Sequence, residues 1–368
     1  MNVLRIGLIG AGYIGREHAR CLRLIAPLFD GKVQVLAIAD TNKQAAQFAA
    51  RQFAIPVATA NVDEVIDHPE INVIFSCVPT KFHLDVMQKA VAKGKAVFCE
   101  KPFAVSLEDA HRLHDLLTKN QTPHQVGFVL RYAPTYHALK KMLVTHADVS
   151  PLRTVILRDD QVFPIQGISH FTDWRSRVEL AGAGVLIEHG IHDIDLFEWL
   201  FGPIKRVSAR MSNFAGYPGI EDYIEIRMEF ESGVSANMIH VWHEIGAHQS
   251  IRHFEIFFQK ALITLDTYDM HHINVRDQEA EKTYERPDLF KLVKDDPLFT
   301  DVADREDLLF VSDYYALQDY WFVRNLLEDK PLFPTIQDGL RAFTLAYACY
   351  ESAKKDGAWV ATSSKKPA

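Results

Sequence analysis

The sequence predicts an α/β chain in two parts: an N-terminal doubly wound parallel sheet, then a C-terminal α+β domain built on an open, mainly antiparallel sheet. Three observations predict it. Short apolar runs and helical stretches alternate from Val3 to Leu130, as right-handed parallel crossovers require. The first run breaks into Gly10-x-Gly12-x-x-Gly15 just where a helix begins. After the helix that follows Pro134, strands of strictly alternating polarity take over, Ile224 to Phe230 among them, each with one buried and one wet face. A chain of 368 residues is too long for one core and suits two domains. They are expected at 1–130 and 131–368, with the C-terminal helix able to pack back on the first.

Taken in order, Val3 to Ile9 reads as a buried parallel strand. Gly10 permits the tight turn, Gly12 leaves room for a pyrophosphate, and Gly15 lets the helix from Tyr13 pack close to the strand. Phosphates would sit on free N–H groups at that helix's N-terminus. The helix ends near Asp30-Gly31, and Val33 to Asp40 is a second strand closing on an acid. An acid there accepts from both ribose hydroxyls and repels the extra phosphate of NADP. Strand, glycines, helix, strand and acid together predict a bound dinucleotide, NAD, with NADP left as the alternative by Thr41 and Lys43. Asn42–Phe53 and a short stretch to Asp67 are helices. Val73–Val78 is a strand ended by Pro79, Phe82–Lys93 a helix stopped by Gly94, and Ala96–Cys99 a strand running into Glu100-Lys101-Pro102. Leu107–Asn120 is a helix and Gln125–Leu130 the last strand of this sheet. Pro79, Thr80, Lys101 and Arg131 fall at strand carboxyl ends, the rim where such sheets bind ligands.

A helix from Pro134 to about His146 leads into the second part. Leu152–Arg158, Val207–Met211, a hairpin of Ile224–Phe230 and Val234–Trp242, Phe254–Phe258 and Leu262–Leu265 are its strands. Asp269–Asp307 is charged and poorly patterned; helices return at Asp313–Glu328 and Ile336–Lys355, and the tail after Ala361 reads as disordered.

Composition narrows the function. The net charge is −8, with 48 acidic against 40 basic residues and no dense basic stripe, which argues against a nucleic-acid partner. No apolar run approaches the ~20 residues of a membrane span, and a first strand at Val3 leaves no room for a signal peptide. Cys21, Cys77, Cys99 and Cys349 lie scattered on apolar segments, which suits a reducing cytoplasm.

The densest constellation runs from Gly182 to Asp195. On a helix Glu188, His192 and Asp195 form one stripe at i, i+4 and i+7, beside a buried stripe of Ile187, Ile191, Ile194 and Phe197. Spacing alone favours an ordinary amphipathic helix with a local His192–Asp195 hydrogen bond. A wider pattern points further. The glycine fingerprint, Asp40, Pro79-Thr80-x-x-His83, Glu100-Lys101-Pro102, Gly127-Phe128 with Arg131, Asp173-Trp174-Arg175 and Gly190-x-His192-x-x-Asp195 occur in that order. This set resembles the glucose-fructose oxidoreductase and inositol dehydrogenase (Gfo/Idh/MocA) family from Val3 to about Gly357.

The resemblance implies an NAD-dependent dehydrogenase of a polyol, inositol or cyclic sugar. The cofactor carries the hydride, and His192, whose ordinary pKa of ~6.5 is near working pH, takes the hydroxyl proton. Lys101 assists by stabilising negative charge on the same oxygen, aimed by a Lys101–Pro102 bond expected to be cis. Glu188 stands where relatives commonly have Asp, and Asp195 orients the imidazole or holds a sugar hydroxyl. Gly10, Gly12, Tyr13, Ile14, Gly15, Asp40, Pro79, Thr80, His83, Glu100 and Lys101 are the implied cofactor residues. Lys101, Arg131, Trp174, Arg175 and His192 are the implied substrate residues. His83 reads equally as a helix-start residue, Arg131 as a cap on the sheet, and Trp174 with Arg175 as a packed edge. His240 and His243 point to opposite strand faces, so no metal is expected. Two rivals remain: a glycosidase using transient oxidation by NAD, and a non-catalytic NAD(P)-binding regulator. A homodimer or homotetramer through the open sheet is expected.

Overall fold

The computed structural model of the chain describes residues 2–165, 172–248, 250–266, 272–302, 304–305 and 314–362. The tail read as disordered lies, from residue 363, outside them. The chain forms two compact units, Met1–Tyr132 with Asp304–Leu340, and Ala133–Ala303 with Arg341–Ala368. It therefore returns to the first unit before its last helix.

The first unit carries a six-stranded, wholly parallel sheet in the order β3-β2-β1-β4-β5-β6. Its strands are β1 Leu4–Ile9, β2 Val33–Ala39, β3 Val57–Thr59, β4 Val73–Ser76, β5 Ala96–Cys99 and β6 His124–Val126. The helices between them are α1 Tyr13–Ile25, α2 Lys43–Phe53, α3 Val62–Ile66, α4 His83–Ala92 and α5 Leu107–Lys119. Every residue of β4 and β5 is buried, which is why they read as unbroken apolar runs. The order reverses between β1 and β4, the crevice where such sheets place a ligand. Two details differ from the sequence reading. The three-residue β3 was not anticipated. β6 stops at Val126, where the chain turns out of the ladder: Phe128 N–H donates back to the Val126 carbonyl at 2.8 Å, and a 3-10 turn follows at Val129–Tyr132.

The second unit opens with α6 Pro134–Ala147 and is organised around nine strands in the order β14-β13-β12-β11-β7-β10-β9-β8-β15. These are β7 Leu152–Val162, β8 Ile204–Ser212, β9 Tyr223–Phe230, β10 Ser235–His243, β11 Ile251–Phe258, β12 Leu262–Asp266, β13 His272–Arg276, β14 Glu281–Glu285 and β15 Val360–Ala361. All neighbours pair antiparallel except β7 with β10, which run parallel over nine residues. α7 Val178–Ala181 precedes a π turn at Leu186–Gly190, and α8 Ile191–Phe201 follows it. One face of the sheet is packed: Phe254 of β11 meets Phe197 of α8 and Tyr136 of α6. The unpatterned stretch after residue 269 holds β13, β14, α9 Arg286–Val293 and α10 Pro297–Thr300. Its strands carry charge because β14 is a sheet edge whose residues are almost all exposed, where charge blunts edge pairing. Two helices close the chain, α11 Tyr315–Glu328 and α12 Ile336–Lys354.

Candidate active site

In the first unit the glycine turn is shaped by what a side chain would strike. Gly10 adopts φ +103°, and a Cβ there would stand 2.4 Å from the Cys77 carbonyl oxygen; at Gly15 it would stand 1.9 Å from the Gly10 carbonyl oxygen. At Gly12, by contrast, nothing lies within 4 Å. Gly10 and Gly15 let strand and helix close on one another, and Gly12, between them, is open on the solvent side. Gly12 is also the N-cap of α1, with no side-chain cap and no acid in the first turn. Its free N–H groups and the positive end of the helix dipole suit a diphosphate. Tyr13 is mostly exposed and Ile14 half-buried at the same lip. Asp40 is fixed from both sides: its Oδ2 accepts from Ala11 N–H at 2.7 Å and its Oδ1 from Asn42 N–H at 2.8 Å. The carboxylate is thus tied directly to the glycine turn and keeps lone pairs for hydroxyl donors.

These features fit a dinucleotide, and NAD is the one they fit. Replacing Asp40 with Ser should weaken NAD binding by about 10- to 100-fold, the worth of one charge-assisted contact of roughly 1.5–3 kcal/mol. It should narrow the preference over NADP. Fluorescence titration with each nucleotide measures both, and unchanged NAD affinity would count against the assigned role.

The rim beyond β4 and β5 turns inward. His83, at the start of α4, is 1% exposed; its Nδ1 lies 2.8 Å from Ser76 Oγ and 3.4 Å from Cys99 Sγ. Burial lowers its pKa to about 3, so the ring is neutral. Thr80 is buried beside it and Pro79 half-buried. Glu100 is 4% exposed. Its Oε1 meets His18 Nε2 at 3.0 Å, and its Oε2 accepts from Lys101 N–H at 3.1 Å. The other nitrogen of His18 lies 2.9 Å from both carboxyl oxygens of Asp319. Burial alone would lower the His18 pKa, yet the attraction and hydrogen bonds of Asp319, then of Glu100, raise it to about 10. A buried imidazolium therefore ties α1, the end of β5 and α11 together. Lys101 sits half-buried one residue on, and the Lys101–Pro102 bond is cis. Arg131 is half-buried on the 3-10 turn; Tyr132 is fully buried and donates its hydroxyl to the Phe333 carbonyl.

In the second unit the constellation lies partly on the π turn. Glu188 is on the turn, His192 and Asp195 on α8, all three 6% exposed or less. The departure from a plain α-helix follows from pinned ends. Gly184 and Leu186 donate N–H to the Glu221 carboxylate at 2.8 and 3.0 Å, and Val185 N–H donates to the Glu221 carbonyl at 2.8 Å. At the far end Gly190 lies against the His240 ring, 2.9 Å from where a Cβ would be. The segment between takes up its extra residue as a wider turn, a feature frequent at functional sites. Glu188 Oε2 accepts from Arg175 Nε at 2.8 Å, and that guanidinium lies 4.1 Å over the Trp174 ring. Trp174, Arg175 and Glu188 are thus one connected group.

Beneath α8 lies a buried charge network that the sequence reading did not anticipate. The Arg252 guanidinium meets Asp159 at 2.9 Å and Asp193 at 3.2 Å, and His189 Nε2 meets Asp159 at 2.9 Å. Burial and the neighbouring Asp159 push the Asp193 carboxyl well up despite Arg252. His189 and Arg252 overcome burial to hold Asp159 well below the usual carboxylate range. Burial likewise lowers His240 to about 3. Although Asp159, Asp193 and His240 are close enough to share an ion, the guanidinium already sits among them as the cation. The network anchors the residues on either side of His192 to β7 and β11.

The family described as an oxidoreductase family with an NAD-binding Rossmann fold matches residues 4–128, and its C-terminal domain matches residues 141–264. The chain belongs to the Gfo/Idh/MocA oxidoreductase family. Among relatives, a levoglucosan dehydrogenase of Pseudarthrobacter phenanthrenivorans is 30% identical over 220 residues, 58% of this chain and 55% of its own length. A scyllo-inositol 2-dehydrogenase (NAD(+)) of Bacillus subtilis is 27% identical over 242 residues, 64% of this chain and 66% of its own length. Each match therefore spans less than two thirds of the relative. Of solved structures, levoglucosan dehydrogenase in complex with NADH and levoglucosan superposes with a TM-score of 0.82 at 22% identity, covering 98% of this chain and 99% of that one. An oxidoreductase domain protein from Kribbella flavida gives 0.83 at 22%, covering 99% and 100%. Both establish the fold of this Gfo/Idh/MocA member.

Proposed function

We propose that this Gfo/Idh/MocA protein is an NAD-dependent dehydrogenase that oxidises one hydroxyl carbon of a sugar, inositol or related polyol. The observation that carries the reading is the set of buried polar side chains on one short segment, Glu188, His192 and Asp195, in a chain whose other unit has an open glycine turn tied to Asp40. NAD, when bound, supplies the hydride acceptor.

The residues divide the remaining work. Gly10, Gly12, Tyr13, Ile14 and Gly15 hold the diphosphate by backbone groups, Asp40 the ribose, and Pro79, Thr80 and the backbone at His83 and Glu100 the rim beside it. His192 accepts the hydroxyl proton, and Asp195 orients its ring. Lys101 donates a hydrogen bond to the substrate oxygen, stabilising negative charge as the proton leaves. Glu188, held by Arg175, shapes the polar wall, and Trp174 and Arg131 contact the substrate. A hydroxyl-rich, uncharged substrate suits such a set, because its many donors and acceptors pair with buried carboxylates and imidazole that would otherwise be costly.

The four buried, unbridged cysteines support a cytoplasmic setting, and no helix among the described residues is long and apolar enough to cross a membrane. Ile156, Ile239, Val241 and Phe257, half-buried on the unpacked face of the second sheet, support a homodimer or homotetramer through that face. Incubation with inositols, anhydrosugars and simple sugars plus NAD or NADP, followed by nicotinamide absorbance, tests the reading. Net NADH with at least one polyol is expected; glycoside cleavage without net NADH would replace it by the glycosidase.

A further inference from the structure

On the face of the sheet opposite Asp159 and His240, three side chains converge that the proposed oxidation does not use. Asp160 follows Asp159 on β7, and His243 is the last residue of β10, so alternation turns both away from the α8 side. His248 reaches back from the loop after β10. Its Nε2 lies 2.8 Å from Asp160 Oδ1, and His243 Nε2 lies 3.6 Å from the same oxygen. The two imidazoles are 5.0 Å apart between ring centres. The Asp160 and His243 side chains are each 10% exposed and that of His248 is 35%.

His243 Nε2 is the telling atom: it is buried, makes no hydrogen bond and faces the Asp160 carboxylate. A separation of 3.6 Å is too long for a hydrogen bond. It is close to the ~3.3 Å that separates two ligands of a tetrahedral zinc ion with bonds of about 2.0–2.1 Å. The 2.8 Å contact of His248 has to open by only about half an ångström to match, and its loop position allows that. Arg158 binds the other carboxyl oxygen, Oδ2, at 3.2 Å and is half exposed. Oδ1, which also accepts from Ile251 N–H at 3.3 Å, is therefore the oxygen turned to both imidazoles.

We infer that Asp160, His243 and His248 form a binding site for a divalent cation of the zinc class. Two imidazoles with one carboxylate select zinc-like ions over magnesium or calcium, which require oxygen ligands. The site differs from the Asp159, Asp193 and His240 group in where its guanidinium lies: the buried Arg252 bridges both carboxylates there, whereas the half-exposed Arg158 holds only Oδ2 of Asp160 and leaves Oδ1 to the imidazoles. Binding has a structural consequence. Ile245 N–H donates to His243 Nδ1 at 3.1 Å, which places the neutral ring's proton on Nε2. A metal on Nε2 moves that proton to Nδ1, so the Ile245 bond breaks and the turn at Glu244–Ala247 has to shift.

The test uses the full chain, free of any affinity tag, and needs no turnover, so it stands apart from the dehydrogenase reading. Zinc is titrated against a chromophoric chelator, and cobalt is added separately to read tetrahedral absorption bands. One zinc per chain is expected, undisturbed by excess magnesium, with at least tenfold weaker binding in His243→Asn and in His248→Asn. Hydrogen exchange at the Ile245 amide should speed up when zinc is present. His248→Asn changes only a loop residue, so it remains informative if His243→Asn does not fold. Absence of stoichiometric zinc, or equal affinity in wild type and His248→Asn, would overturn the inference.

Discussion

His192→Ala is expected to lower turnover by about 10²–10⁴-fold, the usual worth of a positioned acid–base group, while NAD affinity stays near the wild-type value. The separation follows from where the residue lies. His192 is on α8 of the second unit, whereas the glycine turn, Asp40 and the N-terminus of α1 belong to the first. Lys101→Met should act the same way: it removes the charge but keeps most of the length, and losing one donor to a developing oxyanion costs about 10²–10³-fold. Steady-state rates with the best polyol, set beside equilibrium NAD titrations of each variant, give both quantities. Near-normal turnover in either variant removes that residue from the chemistry. Loss of NAD binding in His192→Ala would show that the substitution had disturbed more than a proton acceptor.

The largest effect on stability is expected at His18. His18→Leu leaves the carboxyls of Glu100 and Asp319, 4% and 0% exposed, without the cation between them. Removing one partner from a buried ionic group costs about 3–5 kcal/mol, on the order of 10 °C in Tm for units of this size. The pH dependence distinguishes this from simple loss of packing. In the wild type the His18 pKa is raised from 6.5 to about 10. Its contribution is therefore fully present below pH 6.5 and disappears as pH climbs through about 10. In His18→Leu the two carboxyls face each other in a buried site, which raises their pKa values above those of the unfolded chain. The variant should regain stability as pH falls toward the unfolded carboxyl range near 4. Thermal melts of His18→Leu at pH 8 and pH 5.5 should show a higher Tm at the lower pH. The double variant with Asp319→Asn should recover much of the loss at pH 8. A small, pH-independent change would mean that the triad contributes little beyond packing.

The first sheet was legible because its physics is local. Buried parallel strands such as Val73–Ser76 and Ala96–Cys99 are continuous apolar runs, and glycine breaks them where the chain must turn tightly. β3 escaped notice because three residues, one exposed and two half-buried, leave almost no pattern. The π turn escaped because its causes lie elsewhere in the chain: the carboxylate and carbonyl of Glu221 pin one end, and the His240 ring meets Gly190 at the other. The stripe of Glu188, His192 and Asp195 was visible as helical spacing. Its supports were not, since Asp159 and Arg252 are 93 positions apart and meet only across neighbouring strands β7 and β11. His18 reads as an unremarkable helical residue, since its partners, Glu100 and Asp319, come 82 and 301 positions later. Periodicity reports which face of an element is buried; it does not report which distant charge waits there.

The central claim, that a substrate C–H bond delivers hydride to NAD, is tested most directly with a polyol deuterated at the carbon to be oxidised. After incubation with NAD, mass spectrometry of the nicotinamide product should find NADH carrying the deuterium, formed more slowly than from unlabelled substrate. Unlabelled NADH, or no NADH from any polyol that the protein binds, would contradict the assignment.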